Sequence, residues 1–226
     1  MIKLLIYDLD GTLINSCQDI ANGVNWALKE LGFGELSVKQ ISAHVGRGVT
    51  NLMAGVLKET MKQGKTPEVE LDTEKLLKRS IKLYRSHYAE HLLDETKLYP
   101  SVHKVLEHFK NRKQAVITNK PEGFSNEILR GLKVDSYFFK VIGGDQQFPK
   151  KPSPEAVLEI VRSAQVEPHE AVLIGDSAID VETGKNAKIK TIAVTYGFSS
   201  SKEIERSKPD LILNDLAELV RCPLLV

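Results

Sequence analysis

Four times along this chain a short apolar run stops abruptly against a small polar cluster, with helical spacing in the stretches between. Lys3 to Tyr7 runs into Asp8 and Asp10, and Gln114-Ala-Val-Ile runs into Thr118-Asn119-Lys120. Phe139-Lys-Val-Ile meets Gly143-Gly144-Asp145, and Ala171-Val-Leu-Ile-Gly meets Asp176. Lys190-Thr-Ile-Ala-Val and Asp210-Leu-Ile-Leu read as two further strands. Continuous apolar runs of this length suit strands buried on both faces. Between them, Val102, Val105, Leu106 and Phe109, then Ile128 and Leu132, then Ala156, Val157, Ile160 and Val161 recur at helical spacing. The alternation implies βαβ units, hence an α/β fold with a parallel sheet covered by helices on both faces. Right-handed crossovers bring the strand C-termini to one edge, where open α/β sheets bind ligands.

From Ser16 to Glu95 the alternation stops. Ile20, Val24, Ala27, Leu28 and Leu31 mark one amphipathic helix, and Val49, Leu52, Met53, Val56 and Leu57 a second. Leu76, Leu77, Ile81, Tyr84 and Tyr88 mark a third, with no convincing strand among them. The expected organisation is an α/β core from residues 1–15 and 96–226, interrupted by an all-helical domain over 16–95. Gln63-Gly-Lys-Thr-Pro67 reads as a loop between helices, and the apolar tail Cys222-Pro-Leu-Leu-Val226 as docked on the core.

Composition narrows the partners. Lys+Arg 31 against Asp+Glu 30 leaves no broad basic face for nucleic acid. Cys17 and Cys222 form neither a disulfide framework nor a zinc pattern and fit a reducing compartment. No apolar run approaches the ~20 residues of a membrane span, and the start meets Asp8 too soon for a secretory signal. A soluble cytoplasmic protein, monomer or homodimer, with no nucleic-acid or membrane partner, is expected.

Each polar cluster has an ordinary reading beside a chemical one. Asp8 and Asp10 can simply terminate a strand, yet two carboxylates two apart at a strand end can also face the same side. Gly11 then lets the chain turn sharply away. Asp176, Ser177 and Asp180 suit a helix N-terminus as readily as a ligand set. Thr118-Asn119-Lys120 fits a plain strand-to-helix turn, or a hydroxyl, a side-chain amide and backbone N–H groups offered to phosphate oxygens. Lys150-Lys151-Pro152 is a solvated lysine pair, or a loop that Pro152 and Pro154 stiffen so that Lys151 points into the edge. Jointly they say more. Three acids at one sheet edge are unfavourable without a cation, and an oxygen-rich acidic site suits Mg2+. A divalent cation and a lysine around a carboxylate nucleophile are what phosphoryl transfer needs, since a bare carboxylate is repelled by a phosphate dianion.

Asp8-Leu-Asp10-Gly-Thr, Thr118-Asn119-Lys120, Lys151-Pro152 and Gly175-Asp176-Ser177-Ala-Ile-Asp180 resemble, in order and across essentially the whole chain, the four motifs of haloacid dehalogenase-superfamily phosphatases. The helical insertion after the first motif is similar to the C1-type cap of the phosphoglycolate phosphatase-like branch. The resemblance implies a Rossmann-like core and a Mg2+-dependent phosphatase. Asp8 would be the nucleophile that forms an aspartyl-phosphate. Asp10 would be the acid and then the base, with its proton affinity raised by acidic neighbours. It further implies Mg2+ on the Asp8 carboxylate, the Asp10 backbone carbonyl and Asp176, supported by Asp180. Thr118, the Asn119 backbone and Lys151 would hold phosphoryl oxygens. The chain departs from the usual pattern at Ala187-Lys188 and Tyr99-Pro100-Ser101, where relatives place glycine second and third respectively; the turn after Ala187 is expected to be altered.

Within the insertion, Val45-Gly46-Arg47-Gly48 resembles the branch's substrate-facing cap loop. Arg47 would pair with an anionic group of the substrate, while a flexible surface arginine in a glycine turn is the equal alternative. Gly46-Arg47-Gly48 is no dinucleotide fingerprint, lacking both the strand and the third glycine. His44, His87 and His91 read as surface or packing residues rather than ligands, and Trp26 as packing within the insertion. The expected activity is hydrolysis of a small phosphate ester, most specifically 2-phosphoglycolate. Phosphosugar mutase, pyrophosphatase and 5'-nucleotidase chemistry share the same core motifs, and a non-catalytic phospho-ligand-binding protein is the reading from another class. Dehalogenation is disfavoured because Asp10 supplies an acid where dehalogenases lack one.

Overall fold

The computed structural model describes residues 1–64 and 72–225. In chain order the elements are β1 (Leu4–Tyr7), β2 (Ile14–Asn15), α1 (Cys17–Glu30), α2 (Val38–Ser42), α3 (Val49–Lys62) and α4 (Thr73–Glu90). There follow β3 (Lys97–Leu98), α5 (Val102–His108), β4 (Lys113–Ile117), α6 (Glu122–Gly131), β5 (Lys140–Ile142) and α7 (Glu155–Ala164). The chain closes with β6 (Ala171–Gly175), α8 (Ala178–Asn186), β7 (Lys190–Val194), α9 (Ser201–Ser207) and β8 (Leu211–Leu213). It divides into two compact units, Met1–Asn15 with Lys97–Val226, and Ser16–Thr96.

The first unit is built on a six-stranded sheet in the order β5-β4-β1-β6-β7-β8, with every pairing parallel. All four residues of β1 are buried, as an apolar strand at the centre of a doubly covered sheet must be. Alternate residues of the central strands, Leu4, Ile6, Ala115, Ile117, Ala171 and Leu173, share one core with Ala156, Val157, Ile160, Val161 and Ala164 of α7. On β7, Ala193 joins Val181 of α8 and Ile204 of α9. Cys222 and Leu225 of the tail are buried, and Arg112 Nη1 donates to the Leu225 carbonyl at 2.9 Å. Val226 lies outside the described residues.

Tyr7 pairs with Val116 of β4 and Ile174 of β6. The three chains therefore leave the sheet side by side, at Asp8, Thr118 and Asp176. That register sets the position of everything below.

The helical unit holds its interior with the faces read from spacing: Ile20, Val24, Ala27 and Leu28 on α1, Leu52, Met53, Val56 and Leu57 on α3, and Tyr84 and Tyr88 on α4 are buried. Two features go beyond the sequence reading. The short α2 is started by a reciprocal cap, with the Ser37 hydroxyl accepting from the Gln40 N–H and the Gln40 side chain taking the Ser37 N–H. Asp19, buried in α1, accepts hydrogen bonds from the Glu95 N–H, the Thr96 N–H and the Thr96 hydroxyl, which ties Thr96 to the helical unit. In the core unit, Ile14–Asn15 and Lys97–Leu98 pair as a two-residue antiparallel ladder, too short to leave a periodic signal. Of the expected 63–67 loop, Lys65, Thr66 and Pro67 lie outside the described residues.

Candidate active site

The turn after β1 is fixed by its own backbone and by Gly11. The Asp8 N–H donates to the Ile174 carbonyl at 2.8 Å, and the Leu13 and Ile14 N–H groups fold back on the Leu9 carbonyl at 2.9 and 3.1 Å. Gly11 sits at φ +86°, and a Cβ there would collide with the Asp176 carboxylate. Gly197, after β7, leaves the same kind of space on the other side of Asp176. Asp176 is thus clasped between two glycines. Its carboxylate accepts from the Phe198 N–H at 2.7 Å and from the Thr12 hydroxyl at 3.4 Å.

Lys151 reaches this edge from the loop after β5, through a cis Lys151–Pro152 peptide. Its ammonium lies 2.7 Å from Asp8 Oδ1 and 2.7 Å from Asp180 Oδ1, with all three side chains buried. Burial pulls the Lys151 ammonium down, but Asp180 and Asp8 more than offset this and hold it above the ordinary lysine range. Asp180 serves two roles at once. Its other oxygen accepts from the Ser177 N–H and hydroxyl at 3.1 and 2.6 Å, closing the cap of α8. The ordinary helix-cap reading and the charged one are both realised by the same carboxylate.

Asn119 does something sequence reasoning did not assign. Its side-chain amide accepts from the Lys151 N–H at 2.9 Å and donates to the Lys151 carbonyl at 3.2 Å. The amide therefore holds the Lys151 backbone from both sides. Thr118 is buried beside it, and its hydroxyl oxygen accepts from the Lys120 N–H at 3.2 Å. That bond uses a lone pair of the hydroxyl and does not consume its proton, which can serve as a donor.

Asp10 is faced by Lys120. The buried Lys120 ammonium sits 3.0 and 3.3 Å from the two Asp10 carboxylate oxygens. Lys120 belongs to a motif singled out from the sequence but carried no role of its own there. A lysine at a strand end gives no sign in sequence of which acid it will meet.

Asp8, Asp176 and Asp180 each present a carboxylate oxygen within 4.8 Å of the other two. The Asp10 side chain is outside that group. Burial, reinforced by Asp180 and Asp176, pushes the Asp8 carboxyl well above the usual range despite the adjacent Lys151. Burial and the charge of Asp180 raise Asp176 to about 7. Three buried carboxylates against one ammonium leave uncompensated negative charge, and hard oxygen donors so arranged fit a small divalent cation.

In the helical unit, Arg47 is exposed in a loop bent by left-handed glycines, Gly46 at φ 102° and Gly48 at φ 83°. The Arg47 carbonyl accepts from Asn51 at 2.9 Å. His44 Nε2 meets Glu59 Oε2 at 2.8 Å. His87 stacks between Trp26 and His91, with ring centroids at 4.8 and 4.3 Å. His44 is thus paired with an acid, and His87 is packed between two rings. At both departures from the usual motif pattern the backbone keeps the glycine conformation: Ser101 stands at φ 69° and Lys188 at φ 57°. The turn after Ala187 is therefore not altered, correcting that expectation. Among the described residues no helix is long and apolar enough to cross a membrane.

Comparison with known proteins agrees with this geometry. Residues 5–194 match the model of a haloacid dehalogenase-like hydrolase. The chain is 34% identical over 221 residues to a protein of Aquifex aeolicus named phosphoglycolate phosphatase, covering 97% of this chain and 95% of that one. It is 35% identical, with the same coverage, to a Vibrio parahaemolyticus protein of the same name. The crystal structure of a predicted phosphoglycolate phosphatase from Haemophilus somnus superposes with a TM-score of 0.90 at 30% identity, over 97% of both chains. By sequence and by fold, the chain belongs to the haloacid dehalogenase-like hydrolases.

Proposed function

We propose that this chain is a Mg2+-dependent phosphomonoesterase whose substrate is 2-phosphoglycolate. The observation that carries the proposal is the placement of Asp8 at the end of the central strand, against the Lys151 ammonium and beside Asp176 and Asp180. The relatives' names favour phosphoglycolate over other esters.

Asp8 attacks phosphorus, the ester P–O bond breaks, and Asp10 gives its proton to the departing alkoxide. Water then attacks the aspartyl-phosphate while Asp10 takes its proton, releasing phosphate and restoring Asp8. Lys151, the Thr118 hydroxyl and the Asn119 N–H hold the phosphoryl oxygens, and the Asn119 side chain keeps Lys151 in place. Asp8, the Asp10 carbonyl and Asp176, with Asp180 supporting, would hold Mg2+, whose charge would offset the repulsion between carboxylate and phosphate dianion. The helical unit, residues 16–95 in the sequence reading, acts as a cap that excludes water, and Gly46-Arg47 presents a cation to the substrate.

The test is phosphate release with Mg2+ from 2-phosphoglycolate beside glucose 1-phosphate, pyrophosphate and nucleoside monophosphates. We expect 2-phosphoglycolate to be hydrolysed fastest, and Asp8→Asn to lose about a thousandfold or more in kcat while still folding. Undiminished turnover by Asp8→Asn would remove the nucleophile. A faster member of the panel would replace the substrate.

A further inference from the structure

We infer that Lys120 is a specificity-determining residue that binds an anionic group on the leaving alcohol, so that this enzyme selects phosphate esters carrying a carboxylate one carbon from the ester oxygen. The inference rests on the phosphomonoesterase reading above and assigns a residue that the reading leaves without a task.

The core site holds two buried lysines, and they face different things. Lys151 is bridged between Asp8 and Asp180, on the side of the attacking oxygen and the phosphoryl group. Lys120 is turned to both oxygens of Asp10, the group that serves the ester oxygen as it departs. An ammonium 3.0 Å from that carboxylate therefore lies beside the leaving group rather than beside phosphorus. In an α-(phosphooxy)carboxylate, a carboxylate oxygen falls roughly 3 Å from the ester oxygen by ordinary bond lengths. By exchanging one of its two Asp10 contacts, the ammonium can touch Asp10 and the substrate carboxylate together. A simple alkyl ester offers it nothing.

The backbone of Lys120 is prepared for such a task. Its N–H is held by the Thr118 hydroxyl at 3.2 Å, and its carbonyl accepts from the Gly144 N–H at 2.9 Å. The side chain is only 5% exposed, so a charge offered to it is poorly screened by water. Lys120 is anchored at its base and, through Asp10, at its tip.

The experiment compares 2-phosphoglycolate with ethyl phosphate, which lacks only the carboxylate function, in wild type, Lys120→Gln and Lys120→Arg. The reading is the ratio of the two kcat/KM values. Wild type should favour 2-phosphoglycolate by at least tenfold, Lys120→Gln should reduce that preference about tenfold, and Lys120→Arg should retain part of it. Calorimetric binding of 3-phosphonopropionate against propylphosphonate gives the same comparison without turnover and should follow the same order. If Lys120→Gln lowers both rates in proportion, Lys120 only positions Asp10 and the inference is overturned. A wild type with no preference for the carboxylate overturns it without recourse to any variant. No hydrolysis of any ester by wild type would instead remove the phosphomonoesterase reading itself.

Discussion

Asp176 shows how closely backbone and charge are coupled at a single residue. Its carboxylate is packed between Gly11 and Gly197 and held by the Phe198 N–H. An alanine at Gly11 would meet it from one side and would also force an L-residue to φ +86°. Left-handed backbone alone costs about 1–2 kcal/mol, and the collision adds to it. Gly11→Ala should therefore destabilise the protein by at least about 2 kcal/mol in urea titration and weaken Mg2+ binding, because relief of the clash moves Asp176. A variant as stable as wild type, with unchanged Mg2+ affinity, would show that the turn tolerates a Cβ. Asn119 makes the same point with a neutral group. By spending both ends of its amide on the Lys151 backbone, it orients a buried cation that it never touches at the ammonium.

At the scale of elements, α8 illustrates tolerance rather than constraint. Its capping box joins Ser177 to Asp180, and the turn after it places exposed Lys188 at φ 57°. The side chain is exposed, so Lys188→Gly should relieve the left-handed strain and raise stability by about 0.5–1 kcal/mol and the Tm by a few degrees. A lower Tm would mean that Lys188 makes a stabilising interaction. The same turn shows what a sequence can and cannot disclose. The strands were legible because β1 and β6 are buried along their whole length and β4 from Gln114 onward, so that each carries a mainly apolar run. The helices of the insertion were legible from their buried stripes. What escaped were pieces without periodicity: α2, five residues long, and the two-residue β2–β3 ladder. The Ser37-x-x-Gln40 capping pattern was the available signal for α2. At the site, residue types at strand ends indicated an acidic cluster with a lysine. The pairings could not be read, because which acid Lys120 meets depends on how loops after two strands far apart in sequence converge, and no local spacing records that.

For the whole molecule, the acidic cluster links folding to pH and, on the proposed function, to Mg2+. Burial and Asp180 lift Asp176 from its ordinary 3.8 to about 7, and burial lifts Asp8 in the same direction. A carboxyl raised on folding binds its proton more tightly in the native state. Its contribution is therefore full below roughly pH 4 and is lost as pH climbs through about 7. Carboxylates lowered on folding, such as Glu170 and Glu59, titrate below that window and do not mask it. In the presence of a chelator, the Tm should fall between pH 5 and pH 8. Mg2+ requires the ionised carboxylates, so the Tm increment it gives should grow over the same interval, being small at pH 5.5 and several degrees at pH 8. Asp176→Asn keeps an acceptor for the Phe198 N–H while removing the titration, and it should flatten both slopes. Scanning calorimetry of wild type and Asp176→Asn, with chelator and with Mg2+, measures all four. A Mg2+ increment independent of pH would mean that the cation does not displace protons from this cluster, and the reading of Asp8, Asp176 and Asp180 as its seat would fail.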